Sequence, residues 1–77
     1  MKKQNIFDDV KRLYETAHYF YDMYAEQEKT ARENYNLHPD DLNARIKLHM
    51  TMDTRSHYLG KMNAYVSVLE LINKEDA

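Results

Sequence analysis

The chain has one proline, Pro39, close to its midpoint and one glycine, Gly60, and the proline constrains the fold more than any other residue. A proline ring fixes φ and removes an amide donor, so proline stands at helix ends, whereas one glycine costs a helix about 1 kcal/mol without ending it. Long segments without a second proline lie on both sides of Pro39. We therefore expect two long helices, joined by a short turn at His38 and Pro39, that pack as antiparallel neighbours.

Residues at the segment ends predict where these helices begin and end. Asn5 can cap the first helix, and the two aspartates that follow it place negative charge where the helix dipole favours it. Asn34 and Asn36 can adopt the left-handed conformation that often ends a helix, and Pro39 suits the first position of the second helix. The sequence therefore predicts an all-α, long antiparallel helical hairpin, with helices at about 5–36 and 39–73, in a single domain, 1–77.

Both segments carry apolar residues at alternating spacings of three and four, which is typical of helices that pack on other helices. The stripe of the first segment is Ile6, Val10, Leu13, Ala17, Phe20 and Tyr24. The stripe of the second is Leu48, Met52, Arg55, Leu59, Met62, Val66 and Leu69. We expect the two stripes to meet, which brings Ile6 near Leu69 and Ala17 near Leu59. Polar residues at 53–57 leave a break there, and so three helices, as the alternative.

A second set of apolar residues lies beside each stripe, on the flanks of the predicted hairpin. A chain of 77 residues buries too little surface for a large core, so these flanks favour a further partner. The common arrangement is a two-fold homodimer that forms a four-helix bundle. The oligomer seam predicted in this way consists of Phe7, Tyr14, Tyr21, Tyr58, Tyr65 and Ile72.

Composition excludes several classes of protein. The absence of cysteine removes thiol chemistry and fits a reducing compartment, and no apolar run is long enough for a secretory signal or a membrane span. A net charge of -2 does not provide the basic surface of a nucleic-acid binder. No serine or threonine stands beside a histidine and an acid in a plausible pocket. We expect a cytoplasmic protein that is not an enzyme and needs no cofactor.

One pair of residues has the spacing of a metal site. Glu15 and His18 form the Glu-x-x-His pattern of carboxylate-bridged di-metal bundles, with Asp53 and His57 at a matching height on the second helix. On the predicted register Glu15 and His18 point outward, and further inward glutamates are missing. Because metal ligands must converge on one interior point, we expect no metal here.

Tyrosine makes up seven of the 77 residues and favours binding, because its ring offers a large contact area at low entropic cost. Tyr19 and Tyr35 are predicted to project away from the hairpin and to contact another protein. The sequence therefore favours a small interaction module, such as an adaptor, inhibitor or regulator, which acts as a homo-oligomer. Its size also suits a product of a bacteriophage or other mobile element.

Two alternatives remain open. The predicted architecture is similar to that of the plasmid regulator Rop, a helical-hairpin dimer that binds paired RNA loops, although the sequences show no similarity. The basic residues available for such binding are Lys2, Lys3, Lys11, Arg12, Arg45, Lys47 and Arg55. A structural subunit that only self-associates is the other alternative.

Overall fold

The computed structural model describes the backbone of residues 2–76 and the side chains of residues 5–74. Helix α1 spans Lys2–Leu37 and helix α2 spans Leu42–Asp76. The two helices pack along their length as an antiparallel hairpin that measures 56 × 14 × 13 Å. The predicted all-α helical hairpin is confirmed.

The turn between the helices is longer than predicted, because α2 begins at Leu42 and not at Pro39. The amide of Asp41 donates to the carbonyl of His38 at 3.0 Å, which closes a tight turn around Pro39 and Asp40. The side chain of Asp41 then accepts from the amides of Asn43 at 2.9 Å and Ala44 at 3.4 Å, as an N-terminal cap does. Pro39 therefore lies in the turn, and the prediction that it is the first residue of α2 is wrong.

The two asparagine signals in α1 were also wrong. The helix already includes Asn5, so this residue is not its cap. Among the described residues none has a positive φ, so neither Asn34 nor Asn36 is left-handed. Instead α1 ends because the residue before a proline is disfavoured in a helix, and the amide of His38 makes the last bond, to the carbonyl of Asn34 at 3.0 Å.

Helix α2 is continuous through 53–57, which excludes the alternative with three helices. Two threonine hydroxyls in and just before this part bond to carbonyls of the preceding turn. Thr51 donates to the carbonyl of Lys47 at 2.7 Å, and Thr54 donates to that of Met50 at 2.9 Å. Polar composition alone therefore does not end this helix.

The helices meet along one seam, in which half-buried and buried residues alternate at spacings of three and four. The buried seam residues among those described are small or lie near the turn: Ala17, Ala31, Ala44, Leu48 and Thr51. The α1 side of the seam is Phe7, Val10, Tyr14, Ala17, Tyr21, Tyr24, Glu28, Ala31 and Tyr35. The α2 side is Ala44, Leu48, Thr51, Arg55, Tyr58, Met62, Tyr65, Leu69 and Ile72.

This seam corrects the predicted packing. Relative to that prediction, each helix is rotated about its own axis. One line of side chains that was expected at the seam is exposed, and the neighbouring line takes its place. Ile6 and Leu13, predicted to be inside, are 52% and 50% exposed, and Leu59 and Val66 are also exposed. The six residues predicted to face outward as an oligomer seam are half-buried and lie on the hairpin's own seam: Phe7, Tyr14, Tyr21, Tyr58, Tyr65 and Ile72.

The register of the two helices is also shifted, by about one helical turn. Tyr58 stacks on Phe20, with ring centroids 5.3 Å apart, and on Tyr24 at 5.8 Å. The predicted pairing of Ala17 with Leu59 would have placed these rings at different heights. The observed packing covers large aromatic rings, which hold more apolar area than aliphatic side chains, and this explains why it is preferred.

Candidate interaction surfaces

A polar cluster interrupts the seam near its middle. Nε of Arg55 on α2 donates to Oε1 of Glu28 on α1 at 2.7 Å, and Nη1 of Arg55 lies 3.3 Å from the hydroxyl of Tyr21. Nη2 of Arg32 lies 3.5 Å from Oε2 of Glu28 and 3.8 Å from Sδ of Met52. The Glu28 carboxylate is therefore shared by two guanidinium groups, one from each helix.

The surroundings of Arg55 stabilise its charged form. The hydrogen bond to Glu28 is the main cause that raises the pKa of Arg55, and the contact with Tyr21 raises it further. Arg55 also lies over the ring of Tyr21, with Cζ 5.8 Å from the ring centroid. Its charge is thus engaged inside the hairpin, and this cluster holds the two helices in register.

An aromatic cluster lies at the middle of the hairpin, on the side of the polar cluster that is nearer the open end. Tyr58 is at its centre, between Phe20 and Tyr24, while His57 meets Tyr58 edge-on at 5.5 Å. Tyr19 meets Phe20 edge-on at 5.4 Å on the outer side. The ring contacts therefore run from Tyr58 in the seam, through Phe20, to the exposed Tyr19.

One side of the seam, which we name the apolar flank, carries five of the eleven large apolar side chains that are exposed among residues 5–74. Three surface depressions follow it from the open end to the turn, and the first is lined by Leu13, Ala17, Phe20, Tyr58 and Tyr65. Leu13 and Met50 line these depressions, and the exposed residues Ile6, Val68 and Leu71 extend the flank toward the open end, where Leu71 borders a further depression with Glu70 and Lys74. Charged residues are present on this flank as well: Asp9 and Arg12 border Leu13, Lys61 lines the first depression, and Glu26 and Lys47 line the one nearest the turn.

The opposite side of the seam, which we name the charged flank, is different in character. Its apolar residues, Met52, Leu59 and Val66, form one narrow line on α2, and Arg32 covers Met52. Leu59 and Val66 are only 39% and 36% exposed. Charged residues surround this line: Asp8, Lys11, Glu15, Asp22, Lys29, Arg32, Arg45 and Glu70. The two flanks are therefore unequal.

The two tyrosines predicted to bind another protein lie in different environments. Tyr19 is 65% exposed and projects away from the seam, as expected. Tyr35 is half-buried and lies on the seam line, so the expectation that it projects outward is wrong. The reason is in the sequence, because Tyr35 is an exact multiple of seven residues from Phe7, Tyr14 and Tyr21 and must share their face.

The residues of the suggested metal pattern remain apart. Nδ1 of His18 lies 3.2 Å from the carboxylate of Asp22, one turn along the same helix, and its ring lies 6.0 Å from that of Tyr14. His57 contacts Tyr58. Within the described side chains, no group of three histidine, aspartate or glutamate residues is placed to hold a metal ion.

The basic residues of the RNA-binding alternative do not form one surface. Arg55 is engaged by Glu28, Arg12 lies 3.8 Å from Asp9, and Lys47 lies on the apolar flank, away from Arg45. The side chains of Lys2 and Lys3 lie outside the described residues. This distribution offers no continuous basic stripe among residues 5–74.

Sequence reasoning missed the width of the apolar flank. Val68 and Leu71 belong to it, yet neither was part of a predicted stripe. The signal was present: the lines through Ile6 and Leu13 on α1 and through Leu71 on α2 are almost free of charge. Within residues 2–76, neither helix contains an apolar segment that would reach across a bilayer.

Comparisons of the chain with protein-family models, with curated proteins and with solved structures found no match. The features of the molecule that bear on its function are the two flanks, the polar cluster and the outer face of α1.

Proposed function

We propose that this protein is a non-enzymatic interaction module, which self-associates into a helical bundle and binds another protein as an adaptor, inhibitor or regulator. The observation that supports this proposal is the amount of apolar surface left uncovered by one chain. Among residues 5–74, eleven large apolar residues are exposed, whereas the buried apolar residues are three alanines and Leu48.

The total exposed surface of the chain also supports self-association. The chain exposes 6034 Å², whereas a compact monomer of 9.3 kDa exposes about 5,000 Å². Its radius of gyration is 17.2 Å, against about 11–12 Å for a compact domain of this length. The excess of about 1,000 Å² is comparable to the roughly 800 Å² that each partner buries in a standard interface.

Binding of a different protein is supported by the outer face of α1. Tyr19 is the most exposed aromatic residue described there, and its ring is held edge-on by Phe20. An aromatic ring that is already oriented loses little entropy on binding, which is a common property of residues that dominate interfaces. Tyr35 can contribute only the edge that the seam leaves exposed.

The first test is the mass of the protein in solution. Sedimentation velocity over a dilution series from about 100 to 0.1 µM should show a dimer or larger species that dissociates at the low end, where a standard interface of modest affinity falls apart. A folded monomer at every concentration would contradict the proposed self-association.

The second test is the capture of a partner. A tagged wild-type protein should retain a defined partner from lysate, and Tyr19→Ala should lose it while keeping the wild-type mass and helicity. Tyr19→Phe, which keeps the ring, is the matched control and should retain the partner. Equal capture by Tyr19→Ala would remove the proposed contact. Gel shifts with structured RNA at two salt concentrations test the alternative, since RNA affinity falls steeply with salt.

A further inference from the structure

We infer that a second copy of this chain docks on the apolar flank, with the open ends of the two hairpins at the same end of the bundle. This inference rests on the proposed self-association and names the face and the orientation it uses. The residues that meet the second copy are Ile6, Leu13, Phe20, Val68 and Leu71.

The choice of flank follows from composition and shape. The apolar flank carries Ile6, Leu13 and Leu71 at 50–60% exposure, whereas Leu59 and Val66 in the narrow apolar line of the charged flank are 39% and 36% exposed. Charged side chains cost desolvation energy at the centre of an interface, and the charged flank would place many of them there. The depressions between the helices also lie on the apolar flank and can accept side chains from a facing surface.

The exposed surface area and the symmetry of the flank indicate that its binding partner is a second copy of the chain. The excess exposed surface of about 1,000 Å² per chain matches what a two-fold dimer of standard size covers. A two-fold interface uses the same patch on both copies, so the patch must complement itself. The apolar flank meets this condition because it has aliphatic side chains on both helices, Ile6 and Leu13 on α1 and Val68 and Leu71 on α2.

The orientation follows from where the apolar residues lie along the rod. Leu13 and Tyr65 line the same depression, so Val68 and Leu71 are level with the residues between Ile6 and Leu13. The turn half of α1 on this flank carries Gln27 instead, which lines another depression. A two-fold axis parallel to the rod places the open-end half of one copy beside the open-end half of the other. Ile6 and Leu13 of one copy then face Val68 and Leu71 of the second copy. A perpendicular axis through the middle would place Ile6 and Leu13 against the polar turn half of the other α1, which carries Gln27, and would leave only the turn half of α2, with Met50, as an apolar match.

Matched substitutions test the flank. Leu13→Lys on the apolar flank should weaken self-association by about 10- to 100-fold, because each dimer loses two half-exposed leucine contacts. Leu59→Lys makes the same chemical change on the charged flank and should leave the mass unchanged. Both positions are already exposed, and circular dichroism at a concentration where wild type is associated checks that the helices persist.

The outcomes separate this inference from the proposed function. If the wild type associates and Leu59→Lys dissociates it while Leu13→Lys does not, self-association stands and the apolar flank is overturned. Equal mass for wild type and both variants also overturns the flank. A wild type that remains monomeric overturns both.

Spin labels test the orientation, and the absence of cysteine allows a single label site to be introduced. Asn73→Cys near the open end and Asn36→Cys near the turn should each give a distance of about 20–30 Å between equivalent labels, the width of a four-helix bundle. The rod is 56 Å long, so an arrangement with opposite ends together would separate each pair by about 50 Å and overturn the orientation.

Discussion

Nε of Arg55 donates a 2.7 Å hydrogen bond to Oε1 of Glu28, across the seam between the two helices. The Glu28 side chain is only 16% exposed, so its carboxylate depends on its protein partners for solvation. Sliding α2 by one turn would separate the two groups and leave a charge without its partner at the seam. The pair therefore favours one register among the several that a seam of repeated tyrosines would allow.

Replacing Arg55 with leucine should destabilise the hairpin by about 2 kcal/mol, because the Glu28 carboxylate keeps only Arg32 as a charged partner. The double variant Glu28→Leu/Arg55→Leu should recover wild-type stability or exceed it, since a well-packed apolar pair replaces a desolvated ion pair. Urea unfolding at one fixed protein concentration measures both. An Arg55→Leu single variant as stable as wild type would show that the ion pair contributes nothing.

Asp41→Ala should destabilise the protein by about 1 kcal/mol, because the Asp41 side chain caps α2 through the amides of Asn43 and Ala44. Asp40→Ala is the control at the neighbouring turn position, and we expect a change within about 0.5 kcal/mol. Thermal and urea unfolding of both variants provide the comparison. If both substitutions cost the same, the effect would come from turn charge and not from the cap.

Gly60→Ala should stabilise the protein by about 1 kcal/mol, since alanine is the better helix former. Gly60 lies inside α2, and a Cβ added there meets nothing within 4 Å. The reverse change at an exposed position one turn later, Ala64→Gly, should destabilise by a similar amount. A loss of stability in Gly60→Ala would indicate a close contact at Gly60 that the isolated hairpin does not contain.

Ala31→Leu should destabilise the hairpin by about 1–3 kcal/mol, because added volume in a tight seam separates the helices or strains side chains. Ala31 is 4% exposed and lies where α1 and α2 approach near the turn. Ser56→Leu, at an exposed position of α2, adds a leucine outside the seam and should have little effect. Stability retained in Ala31→Leu would mean that the turn half of the seam is loosely packed.

The sequence was sufficient to predict two long helices and the site of the turn, because Pro39 stands alone between two segments without strong helix breakers. It was insufficient to place the turn residues, since Pro39 is suited both to a turn and to a helix start. The deciding interaction is the Asp41 cap, which places the start of α2 at Leu42. Asp40 and Asp41 are equally good capping residues by type.

The rotation of each helix could not be predicted because both offer three apolar lines and only two can face the seam. In α1 the lines through Leu13, Ala17 and Tyr14 are all apolar in the first half of the helix, and the seam uses the last two. The contact between Glu28 and Arg55 would have resolved this ambiguity, since it is possible only with the observed faces inward. Side-chain charge was thus more informative than apolar periodicity in the middle of the chain.

The two helices are separated by one layer of side chains, and that layer is mostly half-buried. In a bundle built on such thin protomers, folding and assembly share one equilibrium, so the folded fraction depends on how much of the protein a cell makes. On the proposed self-association, expression level would set the share of chains that are paired, and unpaired chains would be the more open to proteolysis.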